Sequence, residues 1–242
     1  MPSLDAKREH ARLVLDALEQ VHPEARCALD YRNAFELSVA TVLSAQCTDE
    51  RVNMVTPHLF ARYPDAASLA AAETADVEEI IRSTGFFRSK TKSIVGLARG
   101  LVEHHGGQIP REMAPLVKLP GIGRKTANVV LGHAYDVNEG IAVDTHVLRV
   151  GERIGLTKGR DPIKVEAQLM KIVPRERWTR TTDLVIFHGR KVCDARRPAC
   201  GTCPIFTLCQ WESRQAWASG EPPKARSPKK KAPSRKLAKA KK

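Results

Sequence analysis

At 242 residues, with 42% hydrophobic and 28% charged positions, the chain is long enough to bury a sizeable core and has the composition of a globular protein. No stretch approaches the ~20 apolar residues of a membrane span, and the N-terminal MPSLDAKREHARLVLDALEQ mixes charges around a helical stripe, unlike a secretory or transit signal, so the expectation is a cytoplasmic protein with no membrane partner. The formal charge of +13 is concentrated at one end: from Arg214 onward eleven Lys or Arg face a single acidic residue, Glu221, leaving 29 basic and 26 acidic residues elsewhere.

In chain order, Asn33 with Glu36 opens the apolar run Phe35 to Leu43 in the manner of a capping box. Gly85, after Ile80 and Ile81, suits a helix C-terminus. In SKTKSIVGLARGLVEHHGG, Ile94, Leu97, Ala98 and Leu101 fall at i, i+3, i+4 and i+7, and Gly106-Gly107 supplies the stop. Asp161-Pro162 reads as an N-cap followed by proline at the first helical position, ahead of Val165, Leu169 and Ile172. The pattern predicts roughly ten short helices, no convincing strand and no tandem repeat: an all-α globule ending near Arg214. The segment 214–242, rich in Lys, Pro and Ala, has too few apolar residues to offset the entropy of ordering and is expected to be a disordered Lys-rich tail. Such a polycation would hold a polyanion through salt-sensitive contacts. A solubilising tail or a nuclear localisation segment fits the same composition.

Three segments depart from ordinary helical patterning. Residues 116–128, LVKLPGIGRKTAN, end a short apolar piece at Pro120, turn on Gly121 and Gly123, and start a helix near Arg124. Backbone N–H groups at such a turn form an anion site able to hold a DNA phosphate without reading sequence. A plain αα-hairpin, with Lys125 an ordinary surface lysine, is the alternative. Residues 141–150, IAVDTHVLRV, set Asp144 ahead of a helical pattern, either as an N-cap or as a catalytic carboxylate, with His146 and Arg149 able to face the same place. Finally, Cys193, Cys200, Cys203 and Cys209 form a C-x6-C-x2-C-x5-C array. Clustered thiols in a reducing compartment point to metal. Only Cys200 and Cys203 form a close pair, and the uneven spacing favours a [4Fe–4S] cluster over zinc or free thiols. Arg196 and Arg197 within that loop are either phosphate ligands or solvated charges. Cys27 and Cys47 lie apart from the array and read as buried thiols.

Taken together, LPGIGRKTAN, VDTHV nineteen residues after Lys125, and the cysteine array resemble the endonuclease III family of the helix-hairpin-helix DNA glycosylase superfamily, over about residues 5–212. The resemblance implies two helical domains with a DNA-binding cleft between them. One is a six-helix barrel with the helix-hairpin-helix, about 28–138. The other joins 1–27 to 139–213 and carries the cluster. It implies Lys125 on one wall of the cleft and Asp144 on the other, phosphate contacts at the hairpin residues Gly121, Gly123 and Arg124, and Gln46 of LSAQCTD as a wedge in the base stack, while His146, Arg196 and Arg197 stay candidate DNA contacts on their own placement. The family usually has Thr where this chain has Cys47.

The activity implied is base-excision repair: an N-glycosylase acting on oxidised pyrimidines in duplex DNA, with abasic-site lyase cleavage through a lysine Schiff base. A monofunctional, adenine-type glycosylase shares the Asp and the cluster but generally lacks the lysine and carries a further C-terminal domain. A non-catalytic DNA-binding iron–sulfur protein would use only hairpin and cluster. The partner expected is double-stranded DNA with an oxidised pyrimidine or an abasic site. The expected protein is a monomer on the bacterial nucleoid, with a nuclear location left open by the basic tail. Burial beside a helix N-terminus is expected to help Lys125 lose its proton, against the opposing influence of Asp144.

Overall fold

The computed structural model describes residues 3–221; most of the Lys-rich tail, from residue 222, lies outside the described residues. The described chain is helical throughout: α1 (Leu4–Val21), α2 (Ala34–Leu43), α3 (Asp49–Arg62), α4 (Ala66–Ala70), α5 (Thr74–Ile81), α6 (Phe87–His105), α7 (Met113–Leu116), α8 (Arg124–Tyr135), α9 (Thr145–Arg153), α10 (Pro162–Ile172), α11 (Trp178–Lys191) and α12 (Arg214–Ala218). None of these helices is long and apolar enough to cross a membrane.

Local chemistry accounts for most of the boundaries. The α6 stripe Ile94, Leu97, Ala98 and Leu101 is fully buried, and each of its larger members contributes about 1.5–3 kcal/mol of burial. That helix stops where Gly106 and Gly107 take positive φ and Gly107 N–H returns to Leu101 O at 2.9 Å. Asp161 caps α10 through Ile163 N–H and Lys164 N–H, with Pro162 at the first turn. At α2 the capping is half of that expected. Asn33 accepts from Glu36 N–H, but the Glu36 carboxylate reaches past Asn33 to Arg32 N–H at 2.8 Å and to the Arg32 guanidinium. A larger correction concerns the tail. Its first residues, Arg214–Ala218, form a helix that lies against the cysteine loop, with Ala218 O 3.2 Å from where a Cβ on Gly201 would stand.

Two helical domains follow from two apolar cores. One is built from Leu29 to Leu131, the other from α1 residues Ala11 to Leu18 together with Ile141 to Ile205. α1 is therefore bound to the far half of the chain, where its apolar stripe meets α10 and α11.

Side chains join the two cores around α8. Glu166 of α10, only 6% exposed, accepts from Arg124 Nε at 2.8 Å and from Asn128 Nδ2 at 2.9 Å. Gly140 makes room for this clasp: a Cβ there would stand 2.1 Å from Glu166 Oε1. Removing one partner of a nearly buried charged hydrogen bond costs about 1–3 kcal/mol, the lower end applying because Arg124 is half exposed. Glu166→Ala is therefore expected to lower the melting temperature by roughly 2–4 °C. A melt coincident with the wild type would mean that the clasp contributes nothing to stability.

Candidate active site

The hairpin runs from α7 through Pro120, Gly121 and Gly123 into α8. Gly121 adopts φ 78°, a region that favours glycine, and it passes so close to Ser93 that a Cβ would lie 2.9 Å from the serine Cβ. Gly123 is the N-cap of α8 and faces open space. The first α8 amide with a backbone acceptor is Ala127, bonded to Gly123 O at 2.9 Å, so the amides before it are left for an anion. Arg124 starts the helix, with Nε held by Glu166 and both Nη groups without a protein partner among the described residues.

Lys125, from α8, and Asp144, from the start of α9, line one pocket, which α8 and α11 flank along its length. Asp144 also performs the structural task open to it: its carboxylate caps α9 by accepting from Val147 N–H at 2.7 Å. Lys125 is exposed. The burial expected to aid its deprotonation is thus not supplied by the protein alone. Burial pushes His146 down from the usual imidazole range, opposed by the neighbouring Asp144 carboxylate. Its Nδ1 lies 3.1 Å from the Arg149 guanidinium, which also donates to Gly189 O and Cys193 O. His146 therefore stands beside Asp144 and is linked to the cysteine loop, but it does not line the Lys125 pocket. Cys27 does line it, and burial pushes that thiol up to about 11, so it contributes a neutral wall.

A second pocket opens on the hairpin side and shares Thr41 with the first. Gln46, Gly121 and Phe86 line it. Gln46 and Phe86 both hold left-handed backbone conformations, φ 52° and 48°, and both are exposed, Phe86 to 68%. Two such residues at one rim are held where their side chains can reach a partner. The turn bearing Phe86 is tied down from beneath by Lys90, a buried lysine whose ammonium donates to Thr84 O at 2.7 Å. Phe86 was not legible as a site residue, although a signal for it exists. Adjacent aromatics after Gly85 cannot both turn inward, and Phe87 is the one packed against the core.

The four array cysteines, none in a disulfide, together line one apolar pocket with Ile154, Phe206 and Trp211. Burial pushes Cys200, Cys203 and Cys209 up, Cys203 to about 11, and the neighbouring thiols add to the effect. Thiols held neutral in this way are suited to ionising only against a shared cation. Among the described residues no three His, Cys, Asp or Glu side chains converge as around a single metal ion. Four thiols on one loop are a donor set that an iron–sulfur cluster or a zinc ion takes. Arg153 braces the loop, donating to Cys193 Sγ at 3.4 Å and to Asp194 O at 2.7 Å while stacking on Trp211 at 4.2 Å. Asp194 in turn accepts from Arg196 N–H and Arg197 N–H, both at 2.8 Å, which presents the two arginines to solvent. Behind the loop, buried His188 links His22 (3.1 Å) to Cys203 Sγ (3.7 Å). Burial drives His188 down to about 4, leaving it neutral at pH 7.

Residues 39–175 match the model of the HhH-GPD superfamily base excision DNA repair proteins. Endonuclease III of Synechocystis sp. is 52% identical over 84% of this chain and 93% of the relative, and that of Bacillus subtilis is 45% identical over 81% and 90%. The fold superposes on a trapped endonuclease III–DNA covalent intermediate with a TM-score of 0.80 at 43% identity, covering 87% of this chain and 97% of the other. A chain with this hairpin, this cysteine array and these relatives belongs to the endonuclease III family, within the superfamily of base excision DNA repair glycosylases.

Proposed function

We propose that the protein removes oxidised pyrimidines from duplex DNA and then cleaves the strand as an abasic-site lyase, with Lys125 as nucleophile. The observation that carries this reading is the convergence of Lys125 and Asp144 on one pocket, beside a rim bearing Gln46 and Phe86. A target carbon inside a base stack is out of reach, so the nucleotide leaves the duplex at a cost of a few kcal/mol. Gln46 and Phe86 occupy the space it vacates, while the hairpin amides, Arg124, Arg196 and Arg197 hold phosphates.

The Lys125 amine attacks C1′, the glycosidic bond breaks, and the base departs with the bonding electron pair and takes up a proton. An amine proton then passes to O4′ as the C1′–O4′ bond breaks, which opens the sugar ring and leaves the protonated Schiff base at C1′. Withdrawal of a C2′ proton then lets the 3′ phosphate leave with the electrons of its C–O bond. Because Lys125 is exposed in the free protein, the DNA that covers it supplies the desolvation that favours the neutral amine. Asp144 stabilises positive charge on the sugar and shuttles protons, fixed in place by its bond to Val147 N–H.

Cys193, Cys200, Cys203 and Cys209 would hold a [4Fe–4S] cluster that, with all its ligand positions filled by thiolate, supplies structural bracing and no open site for substrate. The protein acts as a monomer in this reading.

Borohydride trapping tests it. Wild-type protein on a duplex carrying thymine glycol is expected to give a covalent protein–DNA adduct. Adduct on an abasic-site duplex alone would remove the lesion assignment, and no adduct on either would remove the lyase.

A further inference from the structure

Lys125 shares its face of α8 with residues that the proposed chemistry leaves unused. Val129 and His133 follow at intervals of four, so one stripe of the helix carries all three into the same pocket. At 1.5 Å per residue, His133 lies roughly 12 Å along the axis from Lys125, away from the hairpin. Opposite it, from α11, stands Asp183: His133 Nε2 is 3.3 Å from Asp183 Oδ1, and the two side chains are 12% and 11% exposed. The hairpin-side pocket shares Thr41 with this one, whereas Cys27 and Arg190 are shared with a third groove. A nucleotide entering from the hairpin rim therefore meets Lys125 first and the His133–Asp183 pair deeper in.

The pair has hydrogen-bonding capacity that the protein itself leaves unused. A carboxylate so nearly removed from water is costly unless it is paired and hydrogen-bonded. Among the described residues no N–H or O–H group makes a hydrogen bond to the Asp183 carboxylate, and the imidazole at 3.3 Å is its partner. The His133 ring makes no hydrogen bond either; only its backbone carbonyl is engaged, by the Tyr31 hydroxyl. Acceptor and donor capacity thus face a pocket side by side. A pyrimidine ring, intact or ring-saturated, offers the complement: a ring or exocyclic N–H next to an acceptor atom.

We propose that His133 and Asp183 form the base-reading end of the pocket, with an N–H of the flipped lesion donating to the Asp183 carboxylate and the adjacent base acceptor receiving a hydrogen bond from the His133 imidazole. This rests on the glycosylase reading of the same pocket and names the residues that hold the base rather than the sugar. The competing account is mechanical. α8 belongs to one core and α11 to the other, so the pair could serve only to join them.

Single-turnover assays of the full chain on two duplexes, one with thymine glycol and one with an abasic site, separate the accounts. An abasic site has no base for the pair to hold. Asp183→Ala and His133→Ala are each expected to lower the ratio of thymine glycol release to abasic-site cleavage by about 10- to 100-fold, the loss of a charged hydrogen bond in the transition state. An unchanged ratio, with both activities falling together, would overturn the proposal in favour of a mechanical joint. Should the alanine variants not fold, wild-type protein on a 5,6-dihydrothymine duplex methylated at ring N3 gives the answer, because the methyl group removes the N–H. Slowing by a similar factor supports the contact, and a rate equal to that on the unmethylated lesion overturns it. Failure of wild type to act on either of the first two duplexes would instead strike the underlying lyase reading.

Discussion

Lys125→Ala is expected to yield no borohydride-trapped adduct on either thymine glycol or abasic-site DNA, and to slow base release on the order of 10⁴- to 10⁶-fold. Losses of that size accompany removal of a nucleophile whose partners are left in place. The variant should otherwise be an ordinary protein. Lys125 is exposed in the first turn of α8, the nearby Arg124–Glu166 clasp does not involve it, and alanine is the best helix former. Its melting curve should match the wild type within about 0.5 kcal/mol, and its affinity for undamaged duplex should fall only by the share of one cation. Full trapping by the variant would show that a different amine forms the Schiff base, and the assignment of this pocket would fall with it.

Asp144 presents a harder separation, because its carboxylate has two tasks at once. It caps α9 through Val147 N–H, and it lines the same pocket as Lys125. Asparagine caps a helix about as well as aspartate but carries no charge and accepts no proton. Asp144→Asn is therefore expected to melt with the wild type yet lose about 10²- to 10⁴-fold in single-turnover base release. Asp144→Ala should lose the same activity and, in addition, about 1 kcal/mol of stability from the missing cap. If the asparagine variant works at close to the wild-type rate, the carboxylate is a cap and nothing more.

Features carried by neighbouring residues were legible from the chain alone. The α6 stripe, the Gly106-Gly107 stop, the Asp161-Pro162 start and the glycine turn before Arg124 each depend on residues within a turn or two of one another. The cysteine array could be read for the same reason: its four thiols lie within one loop, and their order along the chain limits what they can enclose. Position 214 was misjudged because composition averages over a window. The window there is dominated by Lys, whereas Arg214–Ala218 forms a helix through its place beside the cysteine loop.

What the sequence determined by itself is thus the helical class, the hairpin, the thiol set and, through resemblance, the two residues on which the proposed chemistry turns. The tertiary structure decided the rest. It left Lys125 exposed, turned Phe86 outward, gave Asp144 a cap as well as a place in the pocket, held Arg124 with Glu166, and set His133 against Asp183. The division has a physical cause. Hydrophobic period, capping and turn preference act over a few residues and leave a pattern in the order of amino acids. Burial and the pairing of distant charges depend on which helices pack together, and that is settled only when the two cores close around α8.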